Sequence, residues 1–238
     1  SALPFTVSGK KRNFEISKQL PFPKNQRQMI KIETIPTKEK LFGQSKWWGE
    51  PDMPEHLDYP ELTLTDNDDG KYQDPLTFIC QIRLEDIAAL DPEGLLPHEG
   101  MIYFFAALDY FLGDLDTPAY PGMGMWQKPY FKVLYTPTCD RLHTHKLYYD
   151  DGLPATLPAE SIHFSPCAPD YDDTRLLGRP YLEETQQALP HSISLLQIDE
   201  DDRWNLVFHD CGMLNFLITP HALKKRQWDK VECYLHSF

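Results

Sequence analysis

The stretch Phe78-Ile79-Cys80-Gln81-Ile82-Arg83-Leu84-Glu85-Asp86 decides the fold, because a second stretch is built like it: Ser194-Leu195-Leu196-Gln197-Ile198-Asp199-Glu200-Asp201-Asp202. Both put a Gln-Ile pair at the end of an apolar run and an acidic residue five positions after the Gln. Nineteen residues after Gln81 comes Gly100-Met101-Ile102-Tyr103-Phe104-Phe105, and fifteen after Gln197 comes Gly212-Met213-Leu214-Asn215-Phe216-Leu217. A His with an acidic neighbour precedes each, His98-Glu99 and His209-Asp210. Gly49-Glu50-Pro51 and Gly178-Arg179-Pro180 stand ahead of the Gln runs, and Phe131–Tyr135 and Val231–Leu235 close them. Matches in one order point to duplication of a βαβ-containing unit around a shared core. Two copies are too few for a solenoid.

In Gly100–Phe105 and Gly212–Ile218 nearly every position is apolar, the pattern of strands covered on both faces. A glycine heading each run suits a turn or bulge that needs positive φ. In Val231–Leu235 the residues Val231, Cys233 and Leu235 alternate with Glu232 and Tyr234, a half-buried strand. Short helices are expected at Leu84–Leu90 and His221–Trp228, the second with Thr219 as cap and Pro220 at its first position. The 21 prolines are scattered and rule out long helices. The expected fold is therefore α+β and β-rich, a single domain of two divergent structural repeats (41–138 and 170–238) in a pseudo-two-fold relation.

Charge divides the chain unevenly. Residues 1–50 carry ten Lys/Arg against four Asp/Glu, and residues 51–238 carry thirteen against thirty-two, a net of −19. An acidic body repels phosphate, so no nucleic-acid partner is expected. The basic segment 1–40, with Lys10, Lys11, Arg12, Lys18, Lys24 and Arg27, is expected to pack on that body. Acidic runs such as Asp199–Asp202 favour a basic protein partner and speed its association. No apolar run approaches the ~18 residues that span a bilayer, so no membrane partner is expected. Five irregularly spaced cysteines without a C-x-x-C pair fit free thiols in a reducing cytoplasm.

Familiar catalytic motifs fail in turn. Ser8-Gly9-Lys10 lacks the upstream glycine of a phosphate loop, and Gly122-Met123-Gly124 has Gln127 where a dinucleotide fingerprint needs a small residue. Gly43-Gln44-Ser45-Lys46-Trp47 has Trp where a nucleophile elbow needs Gly. Thr65–Gly70 resembles a calcium loop but lacks its first ligand and its closing Glu, so an acidic hairpin is expected. His143 with His145, and His163 with Cys167, supply two ligands each where zinc needs three or four. No metal and no cofactor is expected.

The candidate ligand-binding residues are Gln81, Gln197, His98, Glu99, His209, Asp210 and Trp48. An unpaired amide in an apolar strand costs roughly 1–3 kcal/mol, so Gln81 and Gln197 must find partners. Those partners are backbone groups that tie the two halves together, or a ligand. His98-Glu99 and His209-Asp210 are proton-transfer pairs if they face a cleft, and turn residues leading into the next strand otherwise. Trp48 and its aromatic neighbours line a groove or fill the core.

At these residues the chain resembles the YwqG-like family of bacterial proteins, a domain of unknown function. The resemblance rests on Ser45-Lys46-Trp47-Trp48-Gly49-Glu50-Pro51-Asp52-Met53-Pro54, on Leu76–Ile82, on Leu96-Pro97 with Gly100, and on Leu176-Leu177-Gly178 with Pro180. It continues through Leu195–Asp199 and Asp210–Phe216, and so covers residues 41–238. Trp48 replaces a glycine of the family pattern, and Asn215 an aromatic. The resemblance implies a single-chain α+β fold of two related halves and brings no activity with it. The function expected is a non-catalytic cytoplasmic binding module, immunity-type, meeting a basic partner. The alternative is a small-molecule hydrolase with the six Gln, His and acidic residues converging between the halves.

Overall fold

Eleven strands hydrogen-bond into one antiparallel sheet in the computed structural model, which describes residues 29–65, 70–108 and 121–237. In chain order the strands are β1 (Met29–Pro36), β2 (Lys46–Trp47), β3 (Asp52–Pro54), β4 (Glu61–Thr65) and β5 (Lys71–Pro75). Then come β6 (Thr77–Arg83), β7 (Met101–Ala106), β8 (Gly124–Trp126), β9 (Phe131–Thr136) and β10 (Leu142–Thr144). The last are β11 (Glu160–Cys167), β12 (Arg175–Leu176), β13 (Ile193–Asp199), β14 (Met213–Ile218) and β15 (Glu232–His236). Two short helices complete the set, α1 (Glu183–Ala188) and α2 (Pro220–Lys224).

The sheet runs β8-β15-β14-β13-β12-β1-β11-β2-β6-β7-β9. Its two edges, β8 and β9, are joined by the single 3-10 turn Lys128–Tyr130, so the sheet curls almost closed. The Lys128 ammonium donates to the Val231 and Asp229 carbonyls, fastening that turn to the approach to β15. The hairpin β4–β5 and the pair β3–β10 form separate two-stranded layers.

This overturns the α+β expectation: 41% of the described residues are strand and 13% helical, and every strand pair is antiparallel. The reason is physical. Continuous apolar runs report that both faces are covered, and they do so whether the cover is helices or more sheet. Here the inner faces of the curled sheet enclose one core, with Ile30, Trp47, Ile82, Phe104, Leu196, Phe216 and Leu235. The outer faces of β6 and β7 carry a second core, in which Phe78, Met101, Tyr103 and Phe105 pack under Met53, Leu62 and Leu76. No βαβ crossover is needed to bury them.

Helical expectations shrink accordingly. Leu84–Leu90 is two 3-10 turns, Leu84–Asp86 and Ala88–Leu90, and no side chain caps either start. Thr219 does cap α2, its Oγ1 accepting the Ala222 N–H at 3.2 Å, with Pro220 in the first turn. That helix stops at Lys224, because Arg226 turns left-handed (φ +55°) before the 3-10 turn Trp228–Lys230.

The glycines heading β7 and β14 differ in their reasons. Gly100 sits at φ +87°, as expected. Gly212 is not left-handed; a Cβ there would overlap Phe208, so close packing requires it. The arm residues Lys10 to Arg27 lie outside the described residues, as do 66–69 of the acidic hairpin, whose flanks pair as β4 and β5. The end of the basic segment, Met29–Pro36, is β1, at the middle of the sheet between β12 and β11.

Candidate functional site

Gln81 and Gln197 are both fully buried, and the side-chain O and N of each are hydrogen-bonded. The Gln81 carbonyl accepts the Asp52 N–H at 2.8 Å, and its amide donates to the Gln44 carbonyl (2.8 Å) and to Asp52 Oδ2 (3.1 Å). The Gln197 carbonyl accepts the Tyr181 N–H at 2.9 Å, and its amide donates to the Asp173 carbonyl at 3.1 Å. Around them part of the pattern recurs. Ser45 Oγ accepts the Arg83 N–H (2.9 Å) where Thr174 Oγ1 accepts the Asp199 N–H (3.1 Å). Trp48-Gly49 and Leu177-Gly178 are both left-handed pairs, and each Gln strand carries an irregularity just before the Gln, at Phe78/Cys80 and Ser194/Leu196. Contrary to the expectation from the sequence, the amides therefore do not tie the two halves to each other. Each ties its own strand to the turns that flank the short strand beside it.

One rung carries a cation in both places. Lys46 is the register partner of Gln81, and Arg175 of Gln197. Lys46 pairs with Asp52 at 2.8 Å, and that carboxylate also accepts the Gly43 N–H (2.9 Å) and the Thr144 hydroxyl (2.7 Å). Tyr181 stands where Asp52 would be, and Arg175 Nη2 donates instead to the Arg179 carbonyl (2.7 Å) and Gln197 Oε1 (3.2 Å). Burial pushes the Arg175 pKa down to about 10. Sequence reading missed Arg175; its signal was the alignment with Lys46 in the stretch before each Gln.

The remaining candidates do not share a cleft with the amides. His98 is exposed, with Nε2 3.0 Å from the Asp91 carbonyl, while buried Asp91 accepts the N–H groups of Leu95 and Leu96. Exposed Glu99 offers its carbonyl to the Tyr135 hydroxyl at 3.2 Å. His209 is exposed at φ +63°, and Asp210 exchanges backbone bonds with the Ser237 hydroxyl at 2.9 and 2.7 Å. Trp48 lies in the core, edge-on to Trp47 (5.8 Å) and Trp204 (5.4 Å). His143 and His145 sit 4.9 Å apart, and burial together with His143 lowers the His145 pKa. Among the described residues no three ligating side chains gather.

A cavity of about 220 Å³ opens between β1, the 171–174 segment and the 3-10 turn Asp202–Trp204. Tyr171 and Trp204 supply its aromatic surfaces. Lys31 pairs with Glu33 at 2.6 Å and lies over the Tyr171 ring; that hydrogen bond holds the Glu33 pKa below its usual value. Arg203 pairs with Asp201 at 2.6 Å and stacks 4.7 Å from the Trp204 ring. Asp173 accepts the Thr174 N–H at 2.6 Å and the Tyr171 hydroxyl at 3.3 Å. The acidic run Asp199–Asp202 is partly structural, since Glu200 accepts the N–H groups of Phe208 and Gly212. Three distant segments build this cavity, so spacing could not show it.

The cysteines are all free, with Cys80 and Cys233 buried and Cys211 exposed. Burial raises the Cys80 and Cys233 pKa well above the usual thiol value, and the thiolate is the reactive form. Iodoacetamide is expected to label Cys211 first and Cys80 and Cys233 only after denaturation. Peptide mass spectrometry checks this, and early labelling of either buried thiol contradicts the packing.

Fold and site together define a mostly-β protein, a curled sheet stiffened by buried polar locks with a small charged cavity against β1. The chain belongs to the family described as Domain of unknown function (DUF1963), whose model matches residues 45–184 and 163–236. No curated protein matches it. No helix among the described residues is long and apolar enough to cross a membrane.

Proposed function

We propose that this chain is a non-catalytic binding module of the YwqG-like kind, at work in a bacterial cytoplasm, that holds a basic protein partner. An immunity-type role, covering a cationic toxin, is the form we assign to it. The observation that carries the reading is Asp173 at the mouth of the cavity. Lys31 and Arg203 are already paired with Glu33 and Asp201, whereas Asp173, which Arg203 reaches only through space, accepts hydrogen bonds from neutral donors alone among the described residues. An arriving Lys or Arg side chain gains the exposed Asp173 carboxylate there, worth about 0.2–1 kcal/mol as a surface ion pair. The body's net charge of −19 draws such a partner in.

Titration calorimetry with a short Arg-rich peptide tests this, with a Glu-rich peptide as control. The expected result is saturable binding that weakens as salt shortens the screening length, and about two- to fivefold weaker binding in Asp173→Asn. Binding that ignores both salt and the substitution contradicts the proposal.

A further inference from the structure

We propose that Arg175 is an anion-binding residue whose ligand is a small carboxylate, held beneath the 178–182 segment. Arg175 has no exposed surface, and its Nε and Nη1 groups meet no acceptor among the described residues. Its two hydrogen bonds, both through Nη2, go to neutral oxygens. Guanidinium does not deprotonate in proteins, and a buried charge without a counter-charge costs several kcal/mol. Asp172, Cys167, Tyr171 and Tyr181 face it electrostatically, but none forms an ion pair with it among the described residues.

The matching rung identifies the chemistry. There Asp52 Oδ2 collects the Lys46 ammonium, the Gly43 N–H and the Gln81 amide in one buried cluster. The second rung keeps the cation and the glutamine and replaces the carboxylate by Tyr181. What it lacks is a carboxylate. A second observation points the same way. Asn215 is the register partner of Gln197, so Arg175, Gln197 and Asn215 lie in line on one face of β12, β13 and β14. Asn215 Oδ1 accepts from Ser194 at 2.6 Å, while its Nδ2 finds no acceptor among the described residues. The unmatched groups on this face are donors, so the ligand must bring acceptors. Its cover is thin, because Arg179 and Tyr181 are only half-buried.

This inference uses different residues from the cavity reading and stands or falls apart from it. The test is thermal unfolding with sodium acetate against sodium chloride at equal ionic strength. Acetate is expected to raise the unfolding midpoint saturably, by about 5–10 °C at a hundred times its dissociation constant, and chloride is not. Tyr181→Asp, which supplies the carboxylate found in the other rung, is expected to abolish the acetate response while remaining folded. Arg175→Met is expected to abolish it as well, and Tyr181→Asp decides alone if that variant does not fold. Equal effects of the two salts, or an acetate response that survives in Tyr181→Asp, overturn the proposal.

Discussion

Asp52→Ala is expected to lower the free energy of unfolding by about 3–5 kcal/mol, the largest loss from any single side chain in the first Gln cluster. The Asp52 carboxylate is 1% exposed and receives Lys46, the Gly43 N–H, the Gln81 amide and Thr144. Truncation strands a buried ammonium and removes the acceptor shared by β2, β6 and β10. The double variant Lys46→Met, Asp52→Leu removes both charges and is expected to recover only the share of the loss due to the stranded ammonium, since the Gly43 N–H and the Thr144 hydroxyl still lose their acceptor. Urea unfolding of the three variants measures it. A loss under 1 kcal/mol in Asp52→Ala contradicts the assigned burial and bonding.

Gly100→Ala is expected to be comparably severe, about 3–5 kcal/mol, or to prevent folding. The φ of +87° alone costs a side chain about 1–2 kcal/mol. In addition, a Cβ at this position would overlap the Thr136 carbonyl and lie 2.9 Å from the Pro137 backbone. Backbone cannot swing aside as a side chain does, so β9 must move away from β7. The internal controls are Gly94 and Gly152, left-handed but with nothing within 4 Å of an added Cβ. Alanine there is expected to cost only the backbone term, about 1–2 kcal/mol. Equal losses at Gly100 and Gly94 in denaturant titrations contradict the close approach.

The strands were readable from the residues because burial on both faces leaves an unbroken apolar run, as in Met101–Ala106 and Met213–Ile218. What covers those faces was not readable. Hydrophobicity records that Phe104 and Phe105 both leave water, not that one enters the inner core and the other packs under Met53 and Leu62. The α+β reading failed at that step. The two glutamines could be singled out, since an amide in an apolar strand demands partners, but the partners are the flanking turns of their own segments. Asp52 is 29 residues from Gln81 and Tyr181 is 16 from Gln197, separations that no spacing rule anticipates. The His-acid pairs recur because both precede an incoming strand; the left-handed backbone at His209 and the Asp91 bond to His98 mark turn positions. Arg175 escaped notice because an isolated arginine looks like a surface residue until its neighbours are known.

Gln81 and Gln197 act as equivalent structural locks, each closed on its own segment. Hydrogen exchange of their side-chain amide protons, followed by nitrogen-15 NMR, tests it most directly. Both Nε2 groups are expected to be protected to a similar degree and to exchange only with the surrounding strands, β6 and β13. Exchange of either at the rate of a free glutamine amide, while the backbone of its strand stays protected, would contradict it.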